Sequence, residues 1–294
     1  MSRIEQAMEK ARELASASQM VNLNQKPFVC ADVSGQIDVD NRRLIALNDY
    51  NLPITEEYRK LKSIIIQITS KEPLKNLLLV TSSIGGEGKS LTALNLAISL
   101  AQEHDKRVLL VDADLRKPSI CRYLGLEPTA GLTECLKDGV SLEKLLLRTD
   151  LGNLTVLPAG TPQFNPVELF SSQKMKDLLA LIKEQFSGGY VVIDSSPVLP
   201  FAEARILSNL VDGVVYVVKE SGASYKNIQE GLNNLFEANV IGLVFNKATT
   251  ASLAGGYHYY YYDYDYNRRD PDQKTQSENK KSGFLSMFSK RKVV

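Results

Sequence analysis

The chain has few of the residues on which metal centres and disulfide frameworks depend. Tryptophan is absent, and only two histidines and three cysteines occur among the 294 residues. The cysteines are Cys30, Cys121 and Cys135, an odd number with neither metal-ligand nor disulfide spacing. This usage indicates a reducing compartment and argues against histidine-based metal or nucleophilic chemistry.

A long hydrophobic run and an excess of charge are also lacking. No apolar stretch approaches the ~20 residues that a membrane-spanning helix needs. Residues 1–5 also lack the apolar character with which the hydrophobic segment of a signal peptide would begin. With 35 basic and 34 acidic side chains, the net charge of +1 gives no argument for nucleic acid as a partner. We therefore expect a cytoplasmic protein without a nucleic-acid partner, whose contact with a membrane comes from its surface or from another protein.

Hydrophobic periodicity divides the chain into three parts. Residues 1–50 begin with a short amphipathic helical pattern, over residues 1–18, and continue as a polar segment expected to be a linker. Residues 51–250 alternate strand and helix patterns, which predicts a doubly wound α/β domain with a mostly parallel sheet and helices on both faces. Residues 251–294 are expected to form a flexible tail with a tyrosine cluster and a basic end, because nothing in them could build a core.

Strands and helices are expected to alternate along the predicted domain. A first helical pattern begins at Thr55. Strands are then expected at Lys75–Thr81, Arg107–Asp112, Leu154–Pro158, Tyr190–Asp194, Gly213–Lys219 and Ile241–Asn246. Helices are expected at Leu91–Gln102, Leu132–Lys137, Leu142–Leu147, Ser172–Phe186, Ala202–Leu210 and Ser224–Ala238. Several strands are near-continuous apolar runs, which is typical of parallel strands covered on both faces.

The most informative motif is a glycine-rich loop between a strand pattern and a helix pattern. It runs from Ser83 to Ser90 and reads SIGGEGKS. Its glycines let successive backbone N–H groups point at phosphate oxygens, and the helix that follows adds its positive end. In such a P-loop, Lys89 reaches the β- and γ-phosphates and the Ser90 hydroxyl holds Mg²⁺. Ser83 stands where the consensus has glycine, so the strand–loop–helix context is what supports a nucleotide site.

Carboxylates follow two further apolar strand patterns. Asp112 and Asp114 end one run and are followed by Arg116, and Asp194 ends another. At the carboxyl ends of parallel strands beside a phosphate loop, such carboxylates can hold Mg²⁺ or accept a proton from an attacking group. Helix caps and turn formers are the alternative for the first pair, since aspartate often follows a strand. For Arg116 a surface salt bridge is as compatible as an anchoring role toward the acidic motif or a phosphate.

With these three motifs the chain resembles the bacterial tyrosine kinases of polysaccharide export systems, the BY-kinases. Ser83–Ser90 matches the Walker A loop of that family, Leu109–Arg116 its second acidic motif and Val191–Pro197 its Walker B motif. The resemblance covers about residues 50–266 and is closest to the stand-alone cytosolic forms found with exopolysaccharide clusters. It implies a P-loop fold and an ATP- and Mg²⁺-dependent protein-tyrosine autokinase that controls exopolysaccharide synthesis, chain length or export.

On this reading the motif residues take individual roles. Lys89, Asp112, Asp114 and Asp194 are expected to be catalytic, with Asp112 as the base that takes the tyrosine proton late in the transfer. Mg²⁺ is expected to be held by Ser90, Asp112 and Asp194. Related P-loop proteins place adenine contacts where Asn246 stands in this chain. The full set of expected ATP contacts is Gly85, Gly86, Glu87, Gly88, Lys89, Ser90, Leu91, Arg116 and Asn246.

A tyrosine cluster supplies the candidate phosphoacceptors. Seven tyrosines fall within residues 257–266, namely Tyr257, Tyr259, Tyr260, Tyr261, Tyr262, Tyr264 and Tyr266. A stacking surface for nucleic acid or sugar, or a packing patch, is the alternative. The kinase reading explains more, because a flexible tail beyond the domain can reach the active site of a neighbouring subunit.

The resemblance also implies partners. Family members carry a Glu-x-x-Arg-x-x-Arg helix that joins subunits into a ring, and Glu56, Arg59 and Lys62 occupy that register here. Lysine keeps the charge of the last arginine but lacks its bidentate fork. The activator is expected to be a separate transmembrane polysaccharide co-polymerase protein that sets chain length, which would complete the ATP site and hold the kinase peripherally at the inner face of the cell membrane.

Other readings of the motifs and termini stay open at this level. A partition or cell-division-site ATPase would hydrolyse ATP without modifying tyrosine, but such proteins carry lysine at the position of Ile84. A non-catalytic scaffold that binds ATP is the other alternative. The amphipathic segment 1–18 could dock on a membrane partner or on its own domain, and the basic end could touch an anionic membrane or be a solvated tail.

Overall fold

The computed structural model describes residues 31–33, 36–37, 41–47, 53–70 and 75–249. The strands are β1 (Ala31–Asp32), β2 (Leu77–Ser82), β3 (Val108–Asp112), β4 (Leu147–Arg148), β5 (Leu154–Leu157), β6 (Tyr190–Asp194), β7 (Gly213–Lys219) and β8 (Val240–Asn246). The helices are α1 (Pro53–Thr69), α2 (Lys89–Ala101), α3 (Ile120–Leu124), α4 (Leu132–Asp138), α5 (Val167–Ser171), α6 (Gln173–Gln185), α7 (Glu203–Ser208) and α8 (Tyr225–Asn233). The predicted tyrosine cluster and the amphipathic segment 1–18 lie outside these residues.

The described strands form one sheet in the order β1-β4-β5-β3-β6-β2-β7-β8. All neighbouring pairs are parallel except β4 and β5, which are antiparallel. The order steps outward in both directions from the centre, so the predicted doubly wound α/β fold with a mostly parallel sheet is confirmed. No helix in the described part of the chain is long and apolar enough to cross a bilayer.

Alternation along the central strands divides the core into two layers. Leu77 and Leu79 of β2 lie in the layer beneath α4, α6 and α7, whereas Leu78 and Val80 lie in the layer beneath α1 and α2. Successive strand side chains point to opposite faces, so an apolar run buries both faces when helices cover both. This explains why β2, β3 and β6 are buried at every residue.

Adjacency of β2, β6 and β3 brings the three motifs together. Val80 pairs with Asp194 in β6, and Asp112 at the end of β3 pairs with the same Asp194. Parallel strands end at the same edge, so the glycine-rich loop and both acidic motifs share one side of the sheet.

The predicted helix Leu142–Leu147 is wrong. A 3-10 turn spans Leu142–Lys144, and Leu147–Arg148 is β4, which pairs with β1 on one side and β5 on the other. The apolar spacing was real, since Leu145 and Leu146 are buried, but strand pairing decided the backbone. Helices α7 and α8 are also shorter than predicted and end at Ser208 and Asn233.

Part of the segment expected to be a linker belongs to the fold. Ala31–Asp32 adds a strand, and Leu44 has no exposed surface in the layer beneath α1 and α2. The side chain of Asn95 on α2 holds this segment, accepting from the Ala46 N–H at 2.9 Å and donating to the Arg43 carbonyl at 2.9 Å. Sequence periodicity could not predict this contact, because the segment is polar and is held by hydrogen bonds with a buried asparagine.

Candidate active site

The glycine-rich loop has the backbone that phosphate binding requires. Gly86 and Gly88 adopt φ angles of 84° and 96°, which side chains with a Cβ rarely allow, and α2 begins at Lys89 directly after them. A Cβ on Gly88 would lie 2.1 Å from Nδ2 of Asn246, which donates to the Glu87 carbonyl at 2.8 Å. Asn246 therefore borders the loop on one side, directly before the start of α2.

Glu87 braces this loop with its side chain. Its carboxylate is buried and accepts from the Ile84 N–H at 2.9 Å and from the Lys219 N–H on β7 at 3.3 Å. A carboxylate committed to two backbone amides is oriented into the protein and not toward a phosphate. Any ATP contact of Glu87 would have to come from its backbone.

Ser83, the departure from the P-loop consensus, has a structural partner. Its hydroxyl lies 2.9 Å from the hydroxyl of Tyr216 on β7, and neither residue has exposed surface. Gly231 of α8 packs over this pair, since a Cβ there would lie 2.1 Å from the Tyr216 hydroxyl and 3.6 Å from Cα of Ser83. Sequence reasoning missed Tyr216, because an aromatic residue in an apolar strand gives no signal of its own.

Lys89 lies among the predicted carboxylates. Its Nζ donates to Oδ2 of Asp114 at 2.6 Å and to the Ser90 hydroxyl at 3.2 Å, and lies 3.7 Å from Oδ1 of Asp194. Burial lowers the pKa of Lys89, but attraction to Asp194, Asp114 and Asp112 exceeds that effect, so the pKa is raised overall. Lys89 is therefore a fixed positive charge at the carboxyl edge of the sheet.

Asp112 caps a helix and lines the site at once. Its Oδ2 accepts from the N–H groups of Ser119 and Ile120 at 2.9 and 3.0 Å, at the start of α3. Burial, then the charge of Asp194, raises the pKa of Asp112 to about 7 despite these hydrogen bonds. The cap that the sequence offered as an alternative is present, and it fixes the carboxylate beside Asp194.

Asp194 is fully buried, and neither of its carboxylate oxygens accepts a hydrogen bond from a described residue. The Lys89 ammonium at 3.7 Å is close enough for an ion pair but too far for a hydrogen bond. Burial raises the pKa of Asp194 to about 6, although the Lys89 charge and the nearby Ser90 hydroxyl both act to lower it. An unsatisfied buried carboxylate is costly, so this group fits a role toward a cation or water at the site.

Arg116 anchors the acidic motif. Its Nε and Nη2 donate to Oε1 of Glu203 on α7 at 2.9 and 2.7 Å, and Nη1 donates to the Phe164 carbonyl at 2.6 Å. The guanidinium also lies 4.4 Å from the ring centroid of Phe201. These contacts fit the predicted anchoring of the acidic motif, and a phosphate contact of Arg116 stays a prediction. Sequence reasoning missed Glu203, whose only signal was an acid early in a helix.

The residues expected to join subunits lie on α1, apart from the motifs. Glu56 and Arg59 form an ion pair within the helix, with 3.1 Å between Oε2 and Nη1. Lys62 pairs with Glu103, which follows α2. Contact with another subunit stays a prediction for all three residues.

Sequence comparison links the chain to kinases. It is 38% identical over 185 residues to the tyrosine-protein kinase YwqD of Bacillus subtilis, covering 63% of this chain and 76% of the relative. It is 32% identical to the tyrosine-protein kinase CpsD of Streptococcus agalactiae serotype Ia, covering 66% of this chain and 83% of the relative. It matches 22% of the length of the tyrosine-protein kinase Ptk of Acinetobacter johnsonii, at 36% identity over 56% of this chain.

Structural and family comparison agree with this result. The chimerical protein CapA2B2 matches with a TM-score of 0.66 and 27% identity over 76% of this chain and 95% of its own. The kinase domain of the Escherichia coli tyrosine kinase ETK matches with a TM-score of 0.61 and 25% identity, over 66% of this chain and 77% of its own. The ParA family model, described as the NUBPL iron-transfer P-loop NTPase, matches residues 73–266. The chain therefore belongs to the bacterial tyrosine-protein kinases and carries the ParA-type P-loop NTPase fold.

Proposed function

We propose that this kinase binds ATP with Mg²⁺ at the carboxyl edge of β2, β6 and β3 and phosphorylates its own tyrosine cluster in a neighbouring copy. The observation that carries the proposal is the meeting of Lys89, Asp114 and Asp194 beside the glycine-rich loop, within 2.6 and 3.7 Å of the Lys89 ammonium. Positive charge, buried carboxylates and open loop amides are the parts that phosphoryl transfer needs.

The residues present fit a nucleotide with Mg²⁺. A Cβ on Gly86 would meet nothing within 4 Å, so the loop has open space there, and neither oxygen of Asp194 has a hydrogen bond of normal geometry from a described residue. No group of three or more His, Cys, Asp or Glu side chains forms a metal cage among the described residues. Mg²⁺ needs no such cage, since in nucleotide sites it takes one or two carboxylates together with phosphates and waters. We assign it to Ser90, Asp112 and Asp194.

Each side chain then has a part in the transfer. Lys89 stabilises negative charge on the phosphates, and Asp114 holds the Lys89 ammonium in place. Asp112, fixed by α3, takes the proton of the tyrosine hydroxyl late in the transfer. When bound, Mg²⁺ offsets the charge of the phosphoryl oxygens. Asn246 borders the loop where the adenine would lie.

The partners are proposed from the family. Exopolysaccharide synthesis, chain length or export would be the process under control, and a separate transmembrane protein would activate the kinase and hold it at the inner face of the membrane. Glu56, Arg59 and Lys62 would join copies into a ring. Transfer between copies is favoured because the candidate acceptors lie at residues 257–266, beyond the last strand of the domain.

A positioning ATPase of the partition type is the second candidate. The match of the ParA family model favours it, and it would consume ATP without modifying tyrosine. A scaffold that binds ATP without turnover would do neither. Ile84, where the partition proteins carry lysine, supports the kinase instead.

Intact-mass spectrometry separates these functions. The full chain is incubated with ATP and Mg²⁺ together with the cytosolic segment of the candidate activator, beside a Lys89→Met variant and a control Lys176→Met variant on the exposed face of α6. We expect phosphate additions that map to residues 257–266 in the wild type and the control but not in Lys89→Met. ATP consumption without any addition would identify the positioning ATPase and overturn the kinase proposal for the tail.

A further inference from the structure

The loop between β5 and α5 is fastened to the acidic motif. Gln163 donates its backbone N–H to the Leu115 carbonyl at 2.8 Å, and Arg116 donates to the Phe164 carbonyl at 2.6 Å. Both contacts join this loop to the two residues that directly follow Asp114 in the chain, and Asp114 is the partner of Lys89. The backbone of Phe164 is thus fixed next to the catalytic edge.

The side chain of Phe164 contrasts with this fixed backbone. It is 94% exposed, more than any other large apolar side chain among the described residues. A single exposed apolar residue is common and needs no explanation by itself. What distinguishes Phe164 is that its ring is exposed to solvent while its backbone is anchored by the guanidinium of Arg116, which belongs to the acidic motif.

The order of the strands places the Phe164 loop relative to the proposed nucleotide site. Asn246 ends β8 and borders the loop on one side of β2, whereas the Phe164 loop follows β5, on the far side of β3. Lys89 and its carboxylates lie between them. Phosphoryl transfer needs the acceptor oxygen roughly in line with the leaving oxygen, on the opposite side of the phosphorus. A nucleotide with its base toward Asn246 therefore receives its acceptor from the β5 side.

We propose that Phe164 is a specificity-determining residue that packs against the ring of the acceptor tyrosine. The inference rests on the proposed function and deepens it. Offset or edge-to-face pairing would hold the acceptor ring and guide its hydroxyl toward the carboxylates. The acceptor can be a tail tyrosine of another copy or a tyrosine of another protein, because both present the same ring.

Phe164 takes no part in the bond changes. The tyrosine oxygen bonds to the γ-phosphorus, the bond from that phosphorus to the β–γ bridging oxygen breaks, and the electron pair leaves with ADP. The phenol proton passes to Asp112. Phe164 therefore acts on acceptor affinity, and its loss should leave nucleotide affinity unchanged.

The test compares Phe164→Ala and Phe164→Tyr with the control Phe236→Ala, which removes another exposed ring that is 70% exposed. Each substitution is made in the full chain with its seven tail tyrosines replaced by phenylalanine. A fluorescein-labelled peptide with the sequence of residues 255–267 is the acceptor. Its dissociation constant is measured by anisotropy with and without a non-hydrolysable ATP analogue, and its KM and kcat are measured with ATP.

We expect Phe164→Ala to weaken peptide binding and raise the peptide KM about tenfold, the effect of one lost aromatic pair with its buried area. Its kcat and its affinity for a fluorescent ATP analogue should stay within about twofold of wild type, since neither the nucleotide nor the reacting atoms touch the ring. Phe164→Tyr and Phe236→Ala should match wild type in every measurement.

Four results would overturn the inference. One is a Phe164→Ala protein that binds and phosphorylates the peptide like Phe236→Ala. Another is a parallel loss of ATP affinity, which would make Phe164 a structural residue of the loop. A loss confined to the tail peptide and absent with a Glu-Tyr copolymer would place recognition in the flanking residues. If wild type phosphorylates neither acceptor, the proposed function fails and this inference with it.

Discussion

Two buried carboxylates near the site differ in how their charge is satisfied. Glu203 accepts two N–H groups of Arg116 on Oε1 and leaves only Oε2 without a described partner, whereas both oxygens of Asp194 lack a hydrogen bond of normal geometry and the Lys89 ammonium lies 3.7 Å away. Satisfied buried charges hold loops together, and unsatisfied ones persist where a ligand completes them. The contrast separates an anchoring pair from a group of the reaction centre.

The Arg116–Glu203 pair should respond asymmetrically to its two partners. Arg116→Leu leaves a carboxylate that is 1% exposed without its partner, so the free energy of unfolding should fall by about 3 kcal/mol. Glu203→Leu leaves an arginine that is 23% exposed and can reach water, so the loss should be about 1 kcal/mol. Urea unfolding followed by far-UV circular dichroism measures both, since the chain has no tryptophan.

Arg205→Leu is the matched control for the Arg116–Glu203 pair. It removes an exposed arginine from the same helix α7 and should change stability by less than about 0.5 kcal/mol. Equal losses for Arg116→Leu and Glu203→Leu would contradict the asymmetry, because they would mean that both charges are equally cut off from water.

At the scale of elements, α8 is seated on the strand that supports the phosphate loop. Gly231 allows this approach, since its Cα faces the Tyr216 hydroxyl that meets Ser83. The tyrosine ring has no exposed surface and cannot move aside without cost. The helix, the strand and the first residue of the loop are therefore one packed unit.

Gly231→Ala should destabilise the protein by about 2 kcal/mol, because its Cβ would meet the Tyr216 hydroxyl at 2.1 Å. In an open helix the same change would stabilise by up to about 1 kcal/mol, since alanine is the better helix former. In a Tyr216→Phe background the hydroxyl is gone and the next ring atom lies at 3.3 Å, so the sign should become neutral or favourable. The free energy of unfolding in urea is measured for wild type, Gly231→Ala, Tyr216→Phe and the double variant, which together form a double-mutant cycle.

Gly242→Ala on β8 serves as the control for Gly231→Ala, because a Cβ there meets nothing within 4 Å. Its effect should stay within about 0.5 kcal/mol in both backgrounds. A Gly231→Ala penalty that survives the Tyr216→Phe change would show that the hydroxyl is not its cause.

At the scale of the whole molecule, charge on the tail is proposed to control assembly. Each phosphotyrosine carries about −1.5 to −2 charges, so seven would add on the order of −10 to one short segment. Such a segment could not stay docked beside the carboxylates of another copy. Unmodified tails would close a ring, and phosphorylation would open it.

Light scattering tests this cycle. Wild type should fall in mass after incubation with ATP and Mg²⁺, whereas a variant with all seven tail tyrosines changed to phenylalanine should keep its mass. Phosphatase treatment should restore the larger wild-type species, and salt near 1 M should weaken the effect because it screens charge beyond about 3 Å. The idea fails if the phenylalanine variant has the size of the phosphorylated wild type.

The sequence by itself determined the fold class and the motifs of the site. Apolar runs mark parallel strands, and ligands bind at the carboxyl ends of such strands. For this reason the sequence alone could point to Ser83–Ser90, Asp112, Asp114 and Asp194. Those signals are local, since each motif can be recognised from a run of apolar residues and the few residues that follow it. The same local logic failed at Leu142–Leu147, where pairing with β1 and β5 outweighed helical spacing.

Only the tertiary structure decided how the site is supported. Glu203 under Arg116, Tyr216 under Ser83 and Asn95 holding residues 43 and 46 join positions far apart in the chain. No periodicity records such contacts, because a buried hydrogen bond depends on which side chains the packed elements bring within about 3 Å of one another. The sequence motifs identify the residues proposed to carry the chemistry, and the packing of the helices and strands determines which side chains hold those residues in place.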